Sequence, residues 1–324
     1  MNFMKKPILL HYYITDNCNA KCEYCDIWKQ KTAGCAKFED LERNLIAAKR
    51  LGAKFVDFTG GEPLLNPDLP KFLDFAKKKK FITSVTTNAI LFEKYAPQLK
   101  GKIDLLHFSI GGNKDTHDKI RGVKSFDVLV KAIDVAREFN LFPDLLFTYT
   151  DDNIDCFEEV YAIAQSHKLI LILDPVFSTD GKNLLSEQTQ IKAKSFAKKA
   201  GVYLNSAHLK LREKGGNNTQ KPTCRAIDST IVILPDDTLA LPCFHRFRAK
   251  LKIDGNLEQI LKSDEITQFR KLQGKLQICE NCHINCYMDA SYQYSVNSFF
   301  FSSILSKLKY SYWKYLIFRR KLPF

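Results

Sequence analysis

Three cysteines crowd the segment Cys18-Asn19-Ala20-Lys21-Cys22-Glu23-Tyr24-Cys25, spaced C-x3-C-x2-C. Thiolates this close share a metal centre or are inert. A structural zinc site takes four protein ligands, and the next cysteine, Cys35, lies ten residues on, outside the usual spacing. A four-iron cluster that keeps one iron open for an exogenous ligand needs only three. At this point iron and zinc both stand. A second group, Cys224, Cys243, Cys279, Cys282 and Cys286, ends in C-x2-C-x3-C. Zinc competes there as well, because His245 and His283 widen the choice of ligands. Cys35 and Cys156 stand apart and read as packing or free thiols. His11 reads as a core histidine rather than a ligand.

The elements that position these groups alternate. Strand patterns are expected at Ile8–Ile14, Lys54–Phe58, Phe81–Thr87, Asp104–Ile110, Leu145–Thr150 and Leu169–Leu173. Helical spacing falls between them at 38–51, 68–80, 126–139 and 154–167, and Gly52 sits where a helix C-cap belongs. Strand then helix, repeated about six times, indicates parallel βα units in a barrel or a doubly wound sheet. After residue 200 the rhythm changes. Lys214–Thr219 reads as a polar linker, and Pro235-Asp236-Asp237-Thr238 as a hairpin turn between two short strands.

The octapeptide resembles the signature of the radical S-adenosylmethionine (radical SAM) enzymes, with Tyr24 in the aromatic position before the last cysteine. Further motifs follow in the family's order: Thr59-Gly60-Gly61-Glu62-Pro63 after the second strand, Thr86-Thr87-Asn88 at the end of the third, Ser109 at the end of the fourth, then His117 to Gly122. The fourth strand departs from the pattern, ending Ser109-Ile110-Gly111-Gly112 where the family has serine–x–aspartate–glycine. The cysteine-rich region resembles a shortened auxiliary iron–sulfur domain of the SPASM or twitch type, without the glycine that normally follows its proline–aspartate.

The resemblance implies a partial (β/α)6 TIM-like barrel over residues 1–213, a small auxiliary-cluster domain over 214–290 and a helical tail over 291–324. It implies a [4Fe-4S] cluster on Cys18, Cys22 and Cys25, whose open iron is chelated by SAM. Reductive cleavage then gives a 5′-deoxyadenosyl radical that takes hydrogen from a small molecule, cofactor precursor or peptide. The active face of such a barrel is its strand C-terminal end. There Gly60 and Gly61 offer close backbone approach and free N–H groups, and Glu62 an acceptor for the SAM ammonium. Thr87, Asn88 and Ser109 offer neutral polar groups, and Tyr24 a surface for adenine. One auxiliary [4Fe-4S] cluster is expected on the second cysteine group, with at most one of the five cysteines spare or a substrate contact. A flavodoxin or ferredoxin is the implied reductant.

Composition agrees with a globular protein: of 324 residues, 45% are hydrophobic and 26% charged. No signal-like or membrane-spanning run is apparent, so a cytoplasmic location is expected, where clustered thiols serve metals rather than disulfides. The net charge is +13, of which the tail carries +6 with no acid. Phe301, Ile304, Leu305, Leu308, Tyr312, Tyr315 and Leu316 recur on one helical face of that tail. Residues 299–320 are therefore expected to contact a membrane surface or a partner, peripheral to the inner membrane; packing on the barrel fits the same periodicity. Two other classes weigh against the enzyme. A zinc-stabilised nucleic-acid-binding protein needs a basic patch at the metal, and Glu280 and Asp289 make that region nearly neutral. A non-catalytic iron–sulfur electron carrier has no use for Gly60-Gly61-Glu62 and six βα units.

Overall fold

A computed structural model describes residues 6–29, 34–178 and 180–320; Lys321 and the rest of the tail's end lie outside the described residues. Ten strands form one sheet: β1 Leu9–Thr15, β2 Phe55–Gly60, β3 Ile82–Thr87, β4 Leu105–Ile110, β5 Asp144–Tyr149, β6 Leu171–Pro175, β7 Val202–Tyr203, β8 Thr230–Ile233, β9 Thr238–Leu241 and β10 Ala249–Lys252. Their order is β10-β9-β8-β1-β2-β3-β4-β5-β6-β7. β1 to β7 run parallel, as does β8 beside β1, while β9 is antiparallel to both its neighbours. This is the mixed α/β partial barrel expected. The hairpin of the cysteine-rich region extends the barrel's own sheet past β1 rather than forming a sheet of its own.

Period-two patterning makes the two faces of that sheet. Val56, Phe58, Val85, Leu106 and Phe108 point to the helices and join the main apolar core. The alternate residues on these strands are less completely covered and face the barrel interior. The helix Phe38–Leu51 buries Leu41, Leu45 and Ala48 and ends at Gly52, whose φ of 113° lets its N–H reach the carbonyls of Ala48 and Lys49. At the hairpin turn Asp237 takes φ 58°. It fills the left-handed position that a glycine would otherwise occupy, held by Asn44 Nδ2 at 2.7 Å and the Asp254 N–H at 3.1 Å.

The short helix Asn285–Ser291 touches both β6 and β1. Asn285 donates to Asp174 Oδ1 (3.0 Å) and to the Pro175 carbonyl (2.8 Å) on β6. Tyr287 meets the ring of His11 on β1 edge-on, centroids 5.7 Å apart. Arg212, from the helix Ser206–Glu213, donates to the Pro175 and Val176 carbonyls and to Asn285 Oδ1, fixing the same junction.

The tail packs on the barrel, the second of the two expected outcomes. The helix Ser298–Ser311 lies along Ser206–Glu213 through Ser303, which Asn205 meets at 3.2 Å, and Ser306, 2.9 Å from Ser206 Oγ. It runs on into a π-helical stretch, Tyr312–Ile317, whose Lys314 is 3% exposed and reaches Asp144 Oδ2 on β5 at 2.7 Å. No helix among the described residues is long and apolar enough to cross a membrane.

Candidate active site at the strand C-termini

The loop after β1 carries Cys18, Cys22 and Cys25, and two neighbours pin it. From β2, the Gly61 N–H donates to the Thr15 carbonyl (2.8 Å) and the Glu62 N–H to the Asn17 carbonyl (2.7 Å). A Cβ on Gly60 or Gly61 would lie 2.1 Å from the Thr15 or Asn17 carbonyl oxygen. Glycine is required because two backbones meet, and the Gly61 N–H serves the cysteine loop rather than standing free. From the other side, the Lys21 and Glu23 N–H groups donate to the carbonyls of Arg121 (2.8 Å) and Ile120 (3.0 Å). These end the helix Lys114–Arg121, and Gly122 closes that contact at φ 62°.

Glu62 is 1% exposed and ties strand ends together. Its Oε1 accepts from Thr87 Oγ1 (2.6 Å) and the Leu64 N–H (3.1 Å), its Oε2 from the Asn88 N–H (2.8 Å). Burial pushes its pKa up, opposed by those bonds. A carboxylate offers about four acceptor positions, so roughly one remains for a ligand. Asn88 also donates to Asn19 Oδ1 at 2.7 Å, linking β3 to the cysteine loop. Thus the structure gathers Cys18, Cys22, Tyr24, Cys25, Gly60, Gly61, Glu62, Thr87 and Asn88. Ser109 stands one strand further, part-exposed on β4 and outside this network.

Arg121, part of a motif but not singled out from sequence, is buried against the thiols. Its Nη1 lies 3.5 Å from Cys22 Sγ, and its Nε and Nη2 have no partner among the described residues. Burial pushes the Cys18 thiol up to about 11 and Cys25 upward as well. The surroundings alone therefore keep these protons on, and a bound metal would be what removes them. A buried guanidinium with open donors beside three thiols fits an anionic, thiolate-held group.

The fourth-strand departure is compensated locally. Without an aspartate, the Gly111 N–H donates to His117 Nδ1 (3.1 Å) and its carbonyl accepts from Asn153 Nδ2 (3.0 Å). Gly112, at φ 146°, packs against Thr116 and Cys156, whose Sγ also lies 3.5 Å from Thr116 Oγ1. Cys35 forms an isolated bridge with Thr15, its Sγ 3.4 Å from Thr15 Oγ1.

The second cysteine group divides. Cys224, Cys243, Cys279 and Cys282 line one apolar pocket with Ile278, Ile284 and Met288, beside Arg246. Burial pushes all four thiols up, Cys243 to about 12. Among the described residues no three Cys, His, Asp or Glu side chains converge closely enough to clasp a single metal ion. Of the five cysteines in this group, Cys286, on the helix beginning at Asn285, is the one that does not line this pocket. It is exposed, with Asp174 and Asp57 among the charged groups near it.

The surroundings of Cys286 are polar. His11 Nδ1 pairs with Asp57 Oδ2 at 3.0 Å while its Nε2 lacks a partner among the described residues. Asp57 stays low in pKa: burial pushes it up, but the His11 bond and charge and a bond to Ser84 outweigh that. Burial raises Asp174 to about 6 despite Arg212 and Asn285.

Residues 12–164 match the family described as Radical SAM superfamily. Among curated proteins, the chain is 31% identical over 189 residues to a probable GTP 3',8-cyclase of Thermoplasma volcanium, covering 55% of this chain and 57% of that one. It is 24% identical over 221 residues to the Fe-coproporphyrin III synthase of Methanosarcina barkeri, covering 65% and 54%. The match thus spans a little over half the length of these relatives. Streptococcus suis SuiB bound to its precursor peptide SuiA shares the fold at TM-score 0.70 and 18% identity, over 90% of this chain and 74% of that one. The loop of three thiols, the glycines that let β2 meet it and the strands that carry both all fall within residues 12–164, the part of the chain that matches the Radical SAM superfamily.

Proposed function

We propose that the chain is a radical SAM enzyme acting on a small molecule, cofactor precursor or peptide held inside the barrel. The observation that carries this is the three-thiol loop docked between Gly61-Glu62 and Arg121 at the C-terminal end of β1 to β4. Cys18, Cys22 and Cys25 would hold a [4Fe-4S] cluster, with Arg121 balancing its negative charge. When bound, cluster and SAM together supply a 5′-deoxyadenosyl radical that takes hydrogen from a substrate C–H bond. With SAM bound, the remaining acceptor position of Glu62 would take its ammonium, Asn88 and Ser109 would serve its carboxylate and ribose oxygens, and Tyr24 would pack on its adenine. The part-open barrel, with Asn285–Ser291 touching both β6 and β1, keeps solvent from the radical. Asp57, Asp174, His11 and Cys286 would line the substrate's space.

Cys224, Cys243, Cys279 and Cys282 would hold one auxiliary [4Fe-4S] cluster of the SPASM or twitch kind. The pocket they line supports this, and Cys286 is left spare or as a substrate contact. Relatives named as a probable GTP 3',8-cyclase and an Fe-coproporphyrin III synthase support a nucleotide or a cofactor precursor as substrate classes to try first. A flavodoxin or ferredoxin of the cytoplasm is the fitting reductant. The test is anaerobic reconstitution, iron and sulfide analysis, and detection of 5′-deoxyadenosine after reduction with SAM present. Protein that holds its full iron and binds SAM but never yields 5′-deoxyadenosine contradicts the reading.

A further inference from the structure

The tail buries the face that looks least suited to it. Ser303, Ser306 and Lys314 are 1%, 9% and 3% exposed, because Asn205, Ser206 and Asp144 await them on the barrel. The apolar face is left outside. Phe301, Leu305, Leu308, Tyr312 and Leu316 are 57%, 66%, 61%, 49% and 68% exposed, and they follow one another at four- and three-residue steps. They form a single stripe roughly 20 Å long. An apolar patch of this length on a folded surface marks a contact.

What surrounds the lower end of the stripe identifies the contact. The tail's last turns sit at the N-terminal end of the strands: Lys314 on Asp144, Phe318 on Gly201, and Arg320 Nη2 on the Lys168 carbonyl at 2.8 Å. The loops entering the strands at that end carry exposed Lys54, Lys79, Lys80, Lys100 and Lys168, joined by exposed Arg319. Burial, with Lys54 and Lys80 nearby, even draws the Lys49 pKa down. Three of the acids there are already engaged, Asp104 with Lys77, Asp74 with Lys102 and Asp144 with Lys314. A second copy docking on this face would bring the same cations together, so like charge disfavours self-association. An anionic bilayer surface supplies both an apolar boundary and negative headgroups.

We propose that the exposed stripe of the tail and the basic rim beside it dock this protein on an anionic membrane surface, leaving the cysteine loop at the other end of the barrel facing away from the rim. The test is flotation of the full-length, reconstituted protein with phosphatidylcholine vesicles, with and without phosphatidylglycerol, at low salt. Wild type should rise with the anionic vesicles. Leu305→Glu/Leu308→Glu and, separately, Lys79→Glu/Lys80→Glu should each reduce recovery by about ten-fold, with iron content unchanged as the sign of an intact fold. Wild type that stays unbound to anionic vesicles, or variants that float equally well, overturn the proposal. So does a dimer in sedimentation velocity that Leu305→Glu/Leu308→Glu dissolves while vesicle recovery stays the same.

Discussion

Arg121 Nη1 sits 3.5 Å from Cys22 Sγ, with the rest of its guanidinium buried and unmatched by protein acceptors. A fixed cation there stabilises the more negative state of whatever the three thiols hold. A unit charge at about 5 Å and an effective dielectric of about 20 is worth about 3 kcal/mol, roughly 130 mV for one electron. Arg121→Met should lower the midpoint potential of the first cluster by about that amount, and Arg121→Lys by much less. An EPR-monitored redox titration reads it. Equal potentials in all three proteins would reduce Arg121 to a packing role.

The division of the second cysteine group predicts unequal losses of metal. Cys282→Ala should remove about four irons per chain, and Cys286→Ala none, with the other cluster's spectrum intact in both. Elemental analysis checks this. Stoichiometric zinc with only one cluster's worth of iron would assign the pocket to zinc instead.

Much of the barrel was legible because its information is local. Period-two runs place β1 to β6 within a residue or two, and Gly52 marks the helix end it caps. The three cysteines and Gly61-Glu62 are also local, each within one loop. Arg121 and Asn153 were not legible, since each matters through a partner far along the chain: Cys22 for the first and Gly111 for the second. The tail shows the same limit. Its periodicity reveals an apolar face, but the buried face is chosen by Asp144 and Asn205, more than ninety residues away in sequence.

Lys314 and Asp144 form a buried pair, 4% and 3% exposed in their side chains, with Tyr310 on the same carboxylate oxygen at 2.6 Å. Lys314→Met strands a buried carboxylate and should cost about 3–5 kcal/mol. Lys314→Met/Asp144→Leu should recover most of it. Urea unfolding of the holoprotein measures both, and a double variant no better than the single one would mean that the pair does not hold the tail down.

Burial lowers His117 and His208 to about 3. His208 is kept neutral against Tyr292, and His117 accepts the Gly111 N–H. The unfolded chain takes up these protons below about pH 6.5, whereas the folded chain does not until about pH 3. Stability should therefore fall as pH drops from about 6.5 toward 4, with each histidine contributing up to about 1.4 kcal/mol per pH unit. His208→Phe should flatten that slope by one histidine's share. An unchanged slope in urea unfolding at stepped pH would place the acid sensitivity elsewhere.

The central claim is that the loop after β1 holds the cluster that cleaves SAM. Cys18→Ala/Cys22→Ala/Cys25→Ala protein, reconstituted anaerobically and reduced with SAM present, tests it most directly by chromatographic assay of 5′-deoxyadenosine. The account predicts about four irons fewer than wild type, no 5′-deoxyadenosine, and an intact signal from the Cys224–Cys282 pocket. 5′-deoxyadenosine at the wild-type rate from that triple variant would contradict it.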